Sequence, residues 1–103
     1  MPVLPLSLDY ISKVLTEYFA DKPVQRVQIF GSYARGEATA ASDLDLLLHL
    51  ESDSQVTLFD LSRYQADLED TLHLTVDVGT KLDPYIRRYI EPDLILAYER
   101  TAA

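Results

Sequence analysis

The chain contains no cysteine. That excludes a disulfide framework and any thiolate metal site, and it suits a reducing compartment. No run approaches the ~18 apolar residues that a membrane span needs. The N-terminal MPVLPLSL is apolar but short, carries two prolines and has no basic leader, so it does not read as a signal peptide. A cytoplasmic location is the resulting expectation. Positive charge is scarce as well. Nine Lys and Arg stand against 17 Asp and Glu, for a formal charge of −8, and the basic residues form no stripe. An acidic surface repels phosphate backbones, so direct nucleic-acid binding is not expected. A nucleotide remains an allowed ligand where cations reverse the local field. Repeats, low-complexity runs and linkers are missing too. The 103 residues, 48% of them hydrophobic, read as one domain over 1–103, with a core of its own and no room for a second substrate-binding domain.

The apolar spacing gives an element order. Leu8, Ile11, Leu15 and Tyr18 predict a helix over 7–20, with Ser7 as its N-cap and Asp9 at its positive end. Val27 and Ile29 alternate with Arg26 and Gln28, which predicts a strand over 24–30. A turn at Gly31-Ser32 follows, with a short helix expected from Ser32 to Arg35 and closed by Gly36. Residues 43–50 alternate strictly and predict a second strand. Leu44, Leu46, Leu48 and Leu50 share one face; Asp43, Asp45, Leu47 and His49 share the other. A long helix is predicted over 56–71, with Leu58, Leu61, Leu68 and Leu72 inward. A strand over 73–79, a helix over 84–90 and a closing strand over 94–98 complete the chain. The fold class is α+β (α/β): a small mixed β-sheet with helices packed on one face.

Chemistry concentrates between Phe30 and Leu48. A strand running into a tight glycine turn gathers free backbone N–H groups at one point, and such a point attracts phosphate. Two aspartates one residue apart on a strand face the same way, and Asp77 interrupts a third apolar strand in the same manner. Strands disfavour Asp. Unit charges ~4 Å apart repel by about 4 kcal/mol at an effective dielectric near 20, so cations are the natural completion of such a cluster. Oxygen donors without His or Cys suit Mg²⁺ or Mn²⁺. Alone, Asp-x-Asp or Gly-Ser is an ordinary turn or cap. The joint pattern is far more specific: apolar strand, Gly-Ser, ten residues, Asp-x-Asp, and a later strand Asp.

GSYARGEATAASDLDLLL resembles the signature of the DNA polymerase β superfamily of nucleotidyltransferases, and with the short chain it resembles the minimal nucleotidyltransferase (MNT) branch. The similarity covers about Val24 to Arg100 and is strongest from Ile29 to Leu48. The resemblance implies a polymerase-β-like palm. It implies that Gly31 and Ser32 contact the phosphates of a nucleoside triphosphate, ATP as donor. Asp43, Asp45 and Asp77 would be the catalytic residues and hold two Mg²⁺ ions, Asp77 also orienting or deprotonating the acceptor hydroxyl. Members of this branch, the MntA-type antitoxins among them, pair with a HEPN-domain toxin and transfer AMP to one of its tyrosines. That implies a hetero-oligomer with such a toxin and a protein adenylyltransferase activity that neutralises it. Neutralisation by binding alone is the alternative. Transfer to a small molecule of the aminoglycoside kind is disfavoured by the absence of a second domain.

Other residues stay open at this level. Arg35 can reach a phosphate or pair with Glu37 on the surface. Lys81 reads as a solvated loop lysine, and His49 and His73 as structural. Most of the seven Tyr sit at core spacing. Tyr33 is the exception, because it adjoins the phosphate turn.

Overall fold

The computed structural model describes residues 4–101. Met1 to Val3, where the apolar N-terminal stretch begins, lie outside the described residues, as do Ala102 and Ala103. The elements are α1 (Leu8–Phe19), β1 (Val24–Phe30), β2 (Leu44–Leu50), α2 (Leu58–Leu72), β3 (Val76–Gly79), α3 (Pro84–Ile90), a 3₁₀ turn (Glu91–Asp93) and β4 (Ile95–Glu99).

Ser7 caps α1 by accepting the Tyr10 N–H at 3.1 Å. Ile11, Leu15 and Phe19, each four residues after the last, are fully buried. α2 begins with a reciprocal cap: Thr57 Oγ1 accepts the Asp60 N–H at 3.3 Å, and Asp60 Oδ2 accepts the Thr57 N–H at 2.8 Å. Its inward row is Tyr64, Leu68 and Leu72. Leu58, expected inside, is 81% exposed. The reason is length. Fifteen helical residues span about 22 Å, while the four of β3, against which α2 packs, span about 13 Å. The first turn of α2 has no strand beneath it.

α2 ends at His73, whose backbone is left-handed (φ 58°) and whose N–H donates to the Glu69 carbonyl. His73 is therefore a helix cap and not the start of a strand, and β3 begins three residues later than the alternation suggested.

The four strands form one mixed sheet in the order β3-β2-β1-β4. β2 runs parallel to β3, and β1 is antiparallel to β2 and β4. A bulge between Val24 and Arg26 shifts the register by one residue. Val24 and Val27 thereby both face the core despite their odd spacing. A second bulge at Ala97 interrupts the edge strand β4, and the Ala97 carbonyl accepts Ser12 Oγ–H at 2.6 Å. α1 and α2 cover the same sheet face, where the T-shaped rings of Phe19 and Tyr64 join the helices over Val27, Ile29, Leu44, Leu46 and Leu48. α3 buries none of its residues. Among the described residues no helix is long and apolar enough to cross a membrane. The outer sheet face, away from α1 and α2, carries the polar residues of β1 and β2, and there the aspartates lie.

Candidate active site

The site begins where β1 stops. Phe30 pairs with Asp45 across the antiparallel ladder, and the next residue, Gly31, turns the chain at φ 75°. A side chain at position 31 would meet two obstacles. The left-handed backbone strains any residue with a Cβ, and a Cβ built there would collide with the Asp45 carboxylate. The glycine turn and the Asp45 carboxylate are thus in contact.

Residues 32–36 form a single hydrogen-bonded turn rather than the expected short helix. The Arg35 N–H donates to the Gly31 carbonyl at 3.1 Å and the Glu37 N–H to the Ser32 carbonyl at 2.9 Å. Gly36, at φ 72°, ends the turn after one revolution. Among the described residues, the backbone N–H groups of Ser32, Tyr33 and Ala34 find no acceptor. Three donors at the mouth of one turn are the arrangement that anions seek. Tyr33 departs from its expected role. It is buried in the core, and its hydroxyl accepts the Leu6 N–H at 3.4 Å. It anchors the turn from below instead of flanking a ligand.

Asp45 and Asp77 are direct partners in the parallel β2–β3 ladder, so both carboxylates rise from the same sheet face. Asp43 stands one residue before β2 and is exposed, as is Asp77; Asp45 is half-buried. Burial, then the charges of Asp77 and Asp43, push the Asp45 carboxyl above the usual carboxylate range, with Arg35 opposing. Among the described residues, no protein donor bonds to any of the three carboxylates, and no three His, Cys, Asp or Glu side chains stand close enough to form a ready-made metal cluster. The structure therefore brings Asp45 and Asp77 together beside Gly31 and leaves Asp43 at the rim. An oxygen-only donor set, one member already under repulsive strain, fits a hard divalent cation such as Mg²⁺.

Arg35 takes the surface pairing with Glu37. Its Nε lies 2.9 Å from Glu37 Oε1, and this bond raises its already high pKa, with Asp93 and Asp45 adding to the field. It is paired at the surface and still close enough to the acidic pair to offset it. Lys81 is exposed, as expected. His49 lies between Gln28 Oε1 (2.6 Å from Nε2) and an Arg26 guanidinium nitrogen (3.4 Å from Nδ1). Burial and the charges of Arg26 and Arg87 hold it below the usual histidine range.

Sequence reasoning missed a cavity of about 320 Å³ further along the same face, lined by Arg26, Gln28, Leu47, His49, Arg87 and Glu91. The alternation of β1 had marked Arg26 and Gln28 as polar. Nothing local tied them to α3.

The family described as "Nucleotidyltransferase domain" matches residues 8–97. A protein of Methanocaldococcus jannaschii named "Putative protein adenylyltransferase MJ0128" is 40% identical over 87 residues, covering 81% of this chain and 83% of its own. "Protein adenylyltransferase MntA" of Thermococcus cleftensis is 36% identical over 81 residues, covering 74% and 79%. Among solved structures, one called "Structure of putative minimal nucleotidyltransferase" is 33% identical, with a TM-score of 0.72 over 90% of this chain and 98% of its own. Another, "Crystal structure of the toxin-antitoxin with AMP-PNP", shares the fold at a TM-score of 0.70 and 18% identity, over 92% and 75%.

Proposed function

The chain belongs to the nucleotidyltransferase family, and on that premise we propose that it is a metal-dependent protein adenylyltransferase that moves AMP from ATP to a tyrosine of a partner toxin. The acceptor class is supported by relatives 36–40% identical that carry that name. The partner class is supported by the fold neighbour crystallised as a toxin–antitoxin with AMP-PNP, and a HEPN-domain toxin is the partner that the resemblance to the minimal branch implies. The observation that carries the reading is the contact of Gly31 with Asp45 and the in-register pairing of Asp45 with Asp77.

Each residue has a place in the transfer. The free N–H groups of the 32–34 turn, with Arg35, hold the triphosphate tail. Asp43, Asp45 and Asp77 would hold divalent cations, which would supply charge neutralisation for the phosphates and the departing pyrophosphate. The acceptor hydroxyl oxygen bonds to the α-phosphorus, pyrophosphate departs, and the hydroxyl proton passes to Asp77. In-line displacement of this kind depends on positioning and charge more than on covalent help from the protein. The face opposite α1 and α2 is open at Asp77, so the acceptor reaches it from solvent as part of another protein. The same domain, 1–103, holds the donor and leaves the acceptor to its partner.

The test is transfer itself. With α-labelled ATP, Mg²⁺ and the co-expressed HEPN-domain toxin, label should appear on a toxin tyrosine. Asp43→Asn with Asp45→Asn should abolish it while the fold persists. Labelling that survives the double change refutes the assignment. A double variant that neutralises the toxin as well as wild type would assign the function to binding alone.

A further inference from the structure

The outer sheet face is polarised along its strands. Asp45, Leu47 and His49 follow one another on β2, opposite Phe30, Gln28 and Arg26 on β1. The carboxylates occupy one end. At the other, two of the six arginines of a chain with net charge −8 line one cavity. The hydrogen-bonding there is one-sided. Arg26 can only donate, so His49 Nδ1 accepts from it. A neutral ring then carries its proton on Nε2, and Gln28 Oε1 accepts that proton. What remains to face a ligand, beside the Glu91 carboxylate, is a set of donors: the Gln28 amide NH₂ and the guanidiniums of Arg26 and Arg87. Arg26 Nε is moreover buried without a hydrogen-bond partner among the described residues, a state that folded proteins avoid unless another acceptor completes it. Among the described residues, the only other partner of the Arg26 guanidinium is Glu99, 3.8 Å away and half exposed.

We propose that this cavity binds a single carboxylate of the acceptor protein, borne by an acidic residue close in sequence to the hydroxyl that receives the nucleotide. The proposal rests on the protein-acceptor reading above. Leu47, on the cavity wall, is two residues from Asp45 on the same face, a separation of about 7 Å. Residues two apart in an extended acceptor segment are separated by the same length, so one can enter the cavity while the other meets the aspartates. Glu91 at the cavity edge and the acidity of the whole chain disfavour a polyanion, and leave one carboxylate against two guanidiniums.

Amide NMR shifts of the full chain test this without catalysis. Two peptides are titrated, acetyl-Tyr-Ala-Glu-amide and acetyl-Tyr-Ala-Gln-amide. The glutamate peptide should move the amides of Gln28, Leu47 and His49 and bind about tenfold tighter than its glutamine twin, the weight of one charge-assisted hydrogen bond. Arg87→Gln, on the exposed surface of α3, should erase that preference with the rest of the spectrum unchanged. Equal binding of the two peptides, or no movement of those amides, overturns the proposal. So does inorganic phosphate moving them where the glutamate peptide does not, which would make the cavity a free-phosphate site. A chain that prefers the glutamate peptide yet labels no partner keeps this cavity and loses the transferase reading. Labelling without the preference does the reverse.

Discussion

Replacing Asp45 by asparagine should make the metal-free protein more stable while removing its activity. Asp45 and Asp77 face each other on strands about 4.8 Å apart. Two charges at about 5 Å and an effective dielectric near 20 repel by about 3 kcal/mol. Asp77 is exposed, so solvent and salt reduce the net effect to about 1 kcal/mol. The amide has the same shape as the carboxylate and removes that repulsion. For a chain of this size, 1 kcal/mol corresponds to a rise in Tm of about 4–8 °C. The pH dependence follows from the raised pKa of Asp45. Its contribution favours the fold below the unfolded-state value and is lost as pH rises through the folded one. The variant never loses it, so its advantage should be full above the folded value and vanish as the pH falls through it. Thermal melts in EDTA at low salt measure this. Added salt should shrink the gap, and Mg²⁺ with ATP should raise the wild type but not the variant. A variant that melts at or below wild type in EDTA, or a gap indifferent to salt, would refute the repulsion.

Gly31→Ala should destabilise the fold by about 1–3 kcal/mol, through left-handed strain and the collision with the Asp45 carboxylate. It should also cost most of the transfer activity, because relief of the clash moves the Asp45 carboxylate; a melt and a labelling assay on one preparation check both. Thr57→Ala should cost about 1 kcal/mol of stability in a denaturant titration and leave labelling unchanged, since α2 covers the sheet face opposite the one that carries the aspartates.

Much of the fold was legible before any coordinates. The strand over 24–30 falls where its spacing placed it, because periodicity records which side chains must be buried together, and the helix over 84–90 starts at Pro84, which suits a first helical turn. Ser7 was readable as a cap because its role depends on residues three positions away. The misses share one cause, which is dependence on distant partners. His73 is as compatible with a strand as with a helix cap until α2 is docked and must end. Leu58 looks inward until the shortness of β3 leaves it uncovered. Tyr33 looks like a ligand contact until the segment at Leu6 closes over it.

The sequence by itself determined that a glycine turn and a period-two pair of aspartates occupy one stretch, since both are local consequences of backbone geometry. It also determined that Asp77 lies on an apolar strand. Only the tertiary structure decided that β3 runs parallel to β2, in the register that sets Asp77 beside Asp45 and leaves Asp43 at the rim. Strand order and register are set by how α1 and α2 bury their apolar faces against the sheet, and no stretch of the chain carries that information alone. The same is true of the cavity between Arg26 and Arg87, whose two arginines are 61 positions apart in the sequence and meet only across the folded sheet.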